Sequence, residues 1–255
     1  MSYALITVAP ETGYPLLLQE DTAIVCRRVG ADAAIAYILG NLAAVDRVEG
    51  DFDRASGLIE ESLARFQRLA DVQGEVFALG ALGNLARSSG DLERGRELLG
   101  RSLALRQEVG DRRGTGLTLG CLAVLLARSG DPAGARAAAE QSRGWFAEND
   151  DMIGLSAAEL SLANVALSAG DRVGARAHLH DAASVFRGIE STPQEGWVLA
   201  VLAAMSAEDG EQATARHWLD RAISHFELRG GDAGIAYCRE VERGPGFAAG
   251  SAPAE

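Results

Sequence analysis

The sequence contains no lysine, and its few cysteines are far apart. All 24 basic residues are arginine. A phosphate-binding loop with its lysine and a Schiff-base lysine are therefore excluded. Cys26, Cys121 and Cys238 are odd in number and form no CxxC pair, which disfavours a disulfide framework or a zinc site. These absences predict a chain that resides in a reducing, cytoplasmic setting.

Basic residues are also fewer than acidic ones. The chain has 36 acidic and 24 basic residues and a net charge of −12. This balance predicts no direct binding to nucleic acid or to an anionic membrane, because both need a basic surface. No apolar run approaches the roughly 18–20 residues of a membrane span, and the N-terminal MSYALITVAP lacks the basic region of a signal peptide.

Catalytic and metal-binding motifs are missing as well. There is no HExxH, no nucleophile elbow and no glycine-rich dinucleotide loop. His178 and His180 are two residues apart, so on a helix they point to different sides, and His217 and His225 are two turns apart. We expect these histidines to be solvated surface side chains, and we predict neither a metal nor a cofactor.

A glycine followed by an acidic residue returns every forty residues, five times in all. The pairs are Gly50-Asp51, Gly90-Asp91, Gly130-Asp131, Gly170-Asp171 and Gly210-Glu211. Other columns keep the same phase: Leu42, Leu82, Leu122, Leu162 and Leu202; Ser62, Ser102, Ser142, Ala182 and Ala222; and Phe66, Arg106, Phe146, Phe186 and Phe226. The chain is therefore an array of repeats.

The chemistry of these columns predicts pairs of helices. Within a unit, apolar residues recur at steps of three and four, as in Leu79, Leu82 and Leu85. The glycine can end one helix in the left-handed conformation, and the aspartate can cap the next. Small residues mark the close helix crossings. One pair cannot bury its apolar face alone, so the units must stack into a solenoid.

This pattern resembles the tetratricopeptide repeat (TPR). The positions that carry the resemblance in the second unit are Leu79, Leu82, Gly83, Gly90, Gly95, Leu99 and Ser102. The unit is about six residues longer than the usual ~34 and lacks the family's customary Trp, Tyr and Pro. The long form is similar to the repeat arrays of large bacterial ATP-binding transcriptional regulators and of peptide-sensing regulators. The resemblance implies an all-α, right-handed superhelical solenoid.

The predicted domain organisation is a solenoid over residues 12–243, between an N-terminal extension, 1–11, and a disordered tail, 244–255. A lone helix at each end, over 14–30 and 232–243, would leave a half repeat there. Such unfinished ends suggest a piece of a longer protein, or a homo-oligomer that forms through them. The five complete pairs are expected at 31–70, 72–110, 112–150, 152–190 and 194–230.

Solenoids of this family bind ligands on the concave surface that their first helices line. Transferred column by column, the resemblance assigns the ligand-binding positions to Tyr37, Asn41, Arg47, Phe77, Asn84, Arg87, Arg128, Ser161, Asn164 and Trp197. In the family, asparagine in the column of Asn84 and Asn164 commonly holds a peptide backbone. The three arginines would suit a carboxylate or a phosphate. Alternatively, the polar residues are merely solvated and the aromatic residues pack in the core.

Two carboxylates interrupt apolar or small columns. Glu159 stands where other units have Leu39, Leu79, Leu119 and Leu199, and Asp46 stands where others have Ala, Leu or Ser. A buried carboxylate needs a partner or a proton. Glu159 is therefore either a structural ion pair with an arginine, which we favour, or a general base that faces the groove.

The sequence as a whole favours a non-enzymatic protein- or peptide-binding scaffold, such as the ligand-sensing or interaction module of a bacterial regulator. The alternative is an enzyme or a small-molecule-binding protein that uses the concave superhelix as its pocket. In that case Glu159 and Asp46 are the candidate catalytic residues, and Tyr37 and Trp197 would form walls.

Overall fold

A computed structural model describes residues 31–228, 231–244 and 247. Within these ranges the secondary structure is helical throughout, in eleven α-helices. The expected lone helix at 14–30, the extension at 1–11, Cys26 and most of the tail lie outside the described residues. The helices are α1 (Asp32–Glu49), α2 (Phe52–Arg68), α3 (Val72–Ser89), α4 (Leu92–Glu108), α5 (Arg112–Arg128), α6 (Pro132–Glu148), α7 (Met152–Ser168), α8 (Arg172–Gly188), α9 (Thr192–Glu208), α10 (Gln212–Glu227) and α11 (Asp232–Arg243).

The chain forms two compact units that divide between Trp145 and Phe146, within α6. In the first unit, α1 packs against α2 and α3 against α4, and α5 follows on α4. In the second unit, α7 packs against α8 and α9 against α10, and α11 contacts both α9 and α10. The predicted all-α, TPR-like class of helix hairpins is confirmed. Among the described helices, none is both long and apolar enough to cross a membrane.

The Gly-Asp pairs make the turns inside the hairpins, as predicted. Gly50 ends α1 with φ +87°, and the Asp51 carboxylate accepts a hydrogen bond from the Arg54 N–H at 3.1 Å. In the second unit, the Asp171 carboxylate accepts from the Gly174 N–H at 2.8 Å. Each aspartate thereby satisfies a donor that the first turn of a helix leaves unpaired.

The predicted small and aromatic columns are buried. Ala43 and Ala55 are fully buried in the first unit, as are Ala203 and Ala215 in the second. Because they carry only a methyl group, the paired helices approach closely. Large side chains fill the space between successive hairpins, with Leu79 and Phe66 in the first unit and Leu199, Leu219 and Phe226 in the second. This burial supplies most of the driving force for folding.

The serine column has a role beyond small size. Each hydroxyl donates a hydrogen bond to a backbone carbonyl of the preceding helix, 26 residues earlier. The pairs are Ser62 Oγ to Ala36 O at 2.6 Å, Ser102 Oγ to Val76 O at 3.3 Å, and Ser142 Oγ to Gly116 O at 2.7 Å. The hydroxyls thus fix the register between the two helices of a hairpin.

The phenylalanine column packs over a glycine at the start of the next hairpin. A Cβ added to Gly74 would lie 1.9 Å from Phe66 Cδ1, so the glycine makes room for the ring. Arg106 replaces the phenylalanine in the second position of the column. Its guanidinium lies over Gly114 and is ion-paired with Asp111.

Candidate functional site

The first unit contains a cavity of about 280 Å³ over α1, α3 and α5, each of which is the first helix of a hairpin. Side chains from α2 and α4 complete its wall. The residues that line it are Gly40, Asn41, Ala43, Ala44, Arg47, Ile59, Phe77, Gly80, Ala81, Asn84, Leu99, Arg106, Leu117, Thr118 and Cys121.

Glycines on α1 and α3 create this space. A Cβ on Gly40 would lie 2.3 Å from Phe77 Cε1, so the Phe77 ring rests directly on the α1 backbone. A Cβ on Gly80 would be 3.8 Å from Arg106 Nη2, which shows that the guanidinium reaches over α3. Gly40 and Gly80, which are forty residues apart in the repeat, therefore admit an aromatic ring and a cation to the floor of the cavity.

The cavity is positively charged although the chain is acidic. Arg47 and Arg106 line it, and none of its lining residues is an aspartate or glutamate. Arg106 is ion-paired with Asp111, whereas Arg47 donates only a long hydrogen bond, 3.4 Å, to Ser88 Oγ. Across the described residues, Arg47 has no carboxylate within salt-bridge distance.

Arg87 extends this charge into the protein. It is only 6% exposed, and the described residues offer it no salt bridge. Its backbone carbonyl accepts a hydrogen bond from Arg128 Nη1 at 2.5 Å, which brings a further guanidinium close. Burial lowers the pKa of Arg87, and the charges of Arg47 and Arg128 lower it further. Burial also lowers the pKa of Arg47.

Lowered pKa values mean that the charged guanidiniums are held at a cost in free energy. A buried cation without a counter-ion is unfavourable, and neighbouring cations add repulsion. An anion bound beside Arg47 and Arg87 would relieve both penalties and form charge-assisted hydrogen bonds. The electrostatics of the cavity therefore favour a carboxylate or a phosphate.

Several buried polar atoms near the cavity have no hydrogen-bond partner among the described residues. They are Asn84 Oδ1, Arg87 Nε and Arg106 Nε. Unsatisfied buried polar atoms are rare in folded proteins. Asn84 Oδ1 can accept a hydrogen bond from a backbone N–H of a ligand, and the guanidiniums can donate to an anion. The combination suits a peptide segment that carries an acidic group.

The cavity unites four of the predicted ligand-binding residues, Asn41, Arg47, Phe77 and Asn84. Tyr37 does not line it. The Tyr37 ring packs edge-on against Phe66, with 4.7 Å between ring centroids, and 5.3 Å from Phe77. Tyr37 is nevertheless 38% exposed, so its contact with a ligand stays a prediction.

The predicted residues of the second unit make contacts within their own helices or core. Ser161 Oγ donates to Ala157 O at 3.0 Å, and Asn164 Nδ2 donates to Leu160 O at 2.8 Å. Trp197 packs between Phe226 and Tyr237, with ring centroids 5.2 and 5.5 Å away. None of the three lines the cavity of the first unit.

Glu159 has a histidine as a partner. The carboxylate is 7% exposed, and Glu159 Oε2 lies 2.8 Å from His178 Nδ1. The expectation that His178 is a solvated surface residue is therefore wrong, because this bond fixes its ring. Asp46 is also buried and pairs with Arg54 at 3.4 Å. Neither carboxylate lines the cavity, so neither is placed to act as a general base there.

The side chains of Glu159, His178 and Asp181 offer three metal-ligand atoms within 4.8 Å of one another. In composition this group could hold a divalent cation. The direct Glu159–His178 bond already accounts for the two less exposed members, and Asp181 is exposed.

Arg106 is the charged residue of the cavity that the sequence reasoning missed. The signal was present, because Arg106 is the one member of its column that is not phenylalanine. In the helix pair where the ring is missing, a guanidinium faces the cavity instead. A charged residue in an otherwise aromatic column thus marks the site.

Residues 76–144 match the tetratricopeptide repeat family. No curated protein matches the chain at a significant level. The fold is similar to those of many solved structures. BtubC (BKLC) from P. vanneervenii is 18% identical with a TM-score of 0.65, and the alignment covers 85% of this chain and 91% of BtubC.

A Rap protein solved in complex with Competence and Sporulation Factor is 14% identical, with a TM-score of 0.73. The alignment covers 83% of this chain and 58% of the Rap protein. A putative kinesin light chain with TPR-like repeats from Podosopora anserina is 17% identical, with a TM-score of 0.53, over 75% of this chain and 95% of that one. At these identities the likeness concerns the fold alone.

Three observations agree: the forty-residue period, the capped helix hairpins and the family match over residues 76–144. The described residues therefore form TPR-like helix hairpins, and residues 76–144 match the tetratricopeptide repeat family.

Proposed function

We propose that this chain is a protein-interaction scaffold and that the cavity on α1, α3 and α5 binds a peptide segment carrying a carboxylate. The observation that carries the proposal is the cationic cavity without an acidic lining residue. Arg47 and Arg87 would hold the carboxylate, because guanidinium groups pair with carboxylates through two parallel hydrogen bonds. Asn84 Oδ1 would accept a backbone N–H of the same segment.

The size of the cavity agrees with a peptide side chain and its flanking backbone. Pockets for small molecules usually span about 300–1,000 Å³. At about 280 Å³ this cavity is just below that range, so it fits one anchoring side chain better than a cofactor. The enzyme alternative has less support, because Glu159 and Asp46 are both outside the cavity.

A regulatory role belongs to the same proposal. The Rap protein of similar fold was solved with Competence and Sporulation Factor, and we extend from it only the idea of a ligand held by stacked helix hairpins. On this proposal the chain senses or recruits its partner in a bacterial cytoplasm. The low identity means that the partner must be found by selection on this chain itself.

The test selects peptides that bind the full chain from a random library and measures their Kd on variants. Asn84→Ala and Arg47→Gln should each weaken binding about tenfold or more, since hydrogen bonds to charged or buried groups contribute roughly 1.5–3 kcal/mol. Asn164→Ala is the matched control, because its amide is bonded within α7. Arg101→Gln, exposed on α4, controls for the change in net charge.

Asn84→Ala separates binding from folding. Because Asn84 Oδ1 has no partner in the described residues, removing it should leave the melting temperature unchanged or raise it while binding is lost. Selected peptides whose Kd is insensitive to both Asn84→Ala and Arg47→Gln would show that the partner binds elsewhere.

A further inference from the structure

Cys121 is a half-buried thiol that lines the cationic cavity. Cys238, the other described cysteine, is fully buried, and burial raises its pKa to about 11. A thiol with such a pKa stays protonated near neutral pH and reacts slowly, because the thiolate is the nucleophile. Cys121 is therefore the described cysteine that a dissolved reagent can reach through the cavity.

Arg47 and Arg106 line the same cavity as Cys121. A negative charge on the Cys121 sulfur would raise the pKa of both Arg47 and Arg87. Both guanidiniums therefore lie within electrostatic range of the sulfur. Arg87 is 6% exposed and its Nε has no hydrogen-bond partner in the described residues. Cys121 thus lines the cavity together with Arg47 and Arg106, and the buried Arg87 guanidinium lies within electrostatic range of its sulfur.

We propose that Cys121 is a thiol–disulfide exchange site selective for disulfides that carry a carboxylate. The guanidiniums of Arg47 and Arg106 bind the carboxylate at the cavity, and the reagent's sulfur–sulfur bond then lies beside Cys121. The class of reactant is the disulfide of an acidic low-molecular-weight thiol. A neutral disulfide lacks the group that the arginines would bind.

The exchange step conserves atoms and electrons. The Cys121 thiol gives its proton to solvent, and its sulfur attacks one sulfur of the disulfide. The sulfur–sulfur bond of the reagent breaks and a new one forms to Cys121. The other half leaves as a thiolate, so the reagent supplies the oxidising equivalent and no further oxidant is needed.

The mixed disulfide would place the reagent's carboxylate on Arg47, which is one of the two arginines that the peptide needs. Modification should therefore block the partner, and this regulatory consequence rests on the proposed function. The selectivity of Cys121 itself does not, because it is measured without a peptide. A chain that reacts selectively but binds no selected peptide through the cavity would overturn the proposed function alone.

The test compares two chromogenic disulfides on the full chain carrying Cys26→Ser. One is the dianionic 5,5′-dithiobis(2-nitrobenzoate), and the other is the neutral 4,4′-dithiodipyridine. The ratio of their second-order rate constants at Cys121 is divided by the same ratio for N-acetylcysteine amide. Cys121→Ser gives the background rate, and peptide mapping confirms the modified residue.

We expect this normalised ratio to be about ten, which is the lower end of the rate increase that electrostatic steering provides. Arg47→Gln and Arg106→Gln should each lower it several-fold, and Arg101→Gln should not. Competition by benzoate tests the same arginines without a substitution. At constant ionic strength, added benzoate should slow the reaction of the anionic reagent more than that of the neutral one.

A normalised ratio at or below one would overturn the proposal, because the net charge of −12 would then control access. A raised ratio that survives both Arg47→Gln and Arg106→Gln in folded protein would also overturn it. If one of these variants does not fold, the other and the benzoate competition decide.

Discussion

At the scale of single residues, hydroxyl groups connect the two helices of the early hairpins. Ser62 is fully buried and its hydroxyl donates to Ala36 O at 2.6 Å. The corresponding residues in the second unit, Ala182 and Ala222, are equally buried and have no hydroxyl. The position therefore requires a small side chain, and the hydrogen bond is an additional stabilising contact.

Ser62→Ala should lower the free energy of unfolding by about 1 kcal/mol, the usual net value of one hydrogen bond. Steric change is minimal, and the Ala36 carbonyl keeps its place in α1. Urea denaturation followed by circular dichroism measures the difference. Ser56→Ala is the control, because the Ser56 hydroxyl bonds only to exposed Glu60 and should change stability by less than about 0.5 kcal/mol. Equal losses in the two variants would contradict a specific role for Ser62.

Asparagines in one column show what the sequence could not predict at this scale. Asn84 and Asn164 occupy equivalent positions eighty residues, or two repeat units, apart. The Asn164 amide bonds to the carbonyl one turn back, while the carbonyl oxygen of the Asn84 amide is buried without a partner in the described residues. The column predicts which face a residue occupies, but the rotamer depends on neighbours from other hairpins.

At the scale of the helix, glycines have two opposite roles. Gly57 lies in the exposed middle of α2, and a Cβ there would meet no atom within 4 Å. Gly74 lies in the first turn of α3, and a Cβ there would overlap the Phe66 ring at 1.9 Å. Helix propensity favours alanine at both positions, so packing must decide the difference.

Gly57→Ala should raise the free energy of unfolding by up to about 1 kcal/mol, because alanine loses less backbone entropy in a helix. Gly74→Ala should lower it by roughly 1–3 kcal/mol, the usual cost of overpacking. The two variants add the same methyl group to neighbouring helices of the first unit, so each serves as the other's control in urea denaturation. Stabilisation by both would mean that the Phe66 ring moves aside at little cost.

Helix boundaries were predictable because each hairpin turn has its own chemistry. Gly50 and Gly90 have φ values of +87° and +91°, and the following aspartates cap the next helix. The turns between hairpins are less regular, since Ala70 and Glu190 adopt left-handed φ without being glycine. Packing on both sides imposes that conformation, which a local pattern of glycines could not indicate.

At the scale of the whole molecule, the chain is acidic overall while the cavity of the first unit is cationic. The net charge of −12 repels anions at long range, and the cationic cavity attracts them at short range. Salt screens these effects unequally, because exposed charges separated by more than a Debye length are screened and buried pairs much less. The Debye length falls from about 10 Å at 0.1 M salt to about 3 Å at 1 M.

This contrast predicts how salt affects a selected peptide with one carboxylate. From 0.05 to 0.5 M NaCl the association rate constant should stay constant or rise, because repulsion by the acidic exterior is screened. The dissociation rate constant should rise only slightly, because Arg87 is buried and Arg47 is half-buried. The Kd should therefore change by less than about threefold. Stopped-flow and surface-based kinetics measure both constants. A Kd weakened tenfold or more, together with a falling association rate, would place the carboxylate on an exposed arginine, since only an exposed pair loses that much attraction to screening.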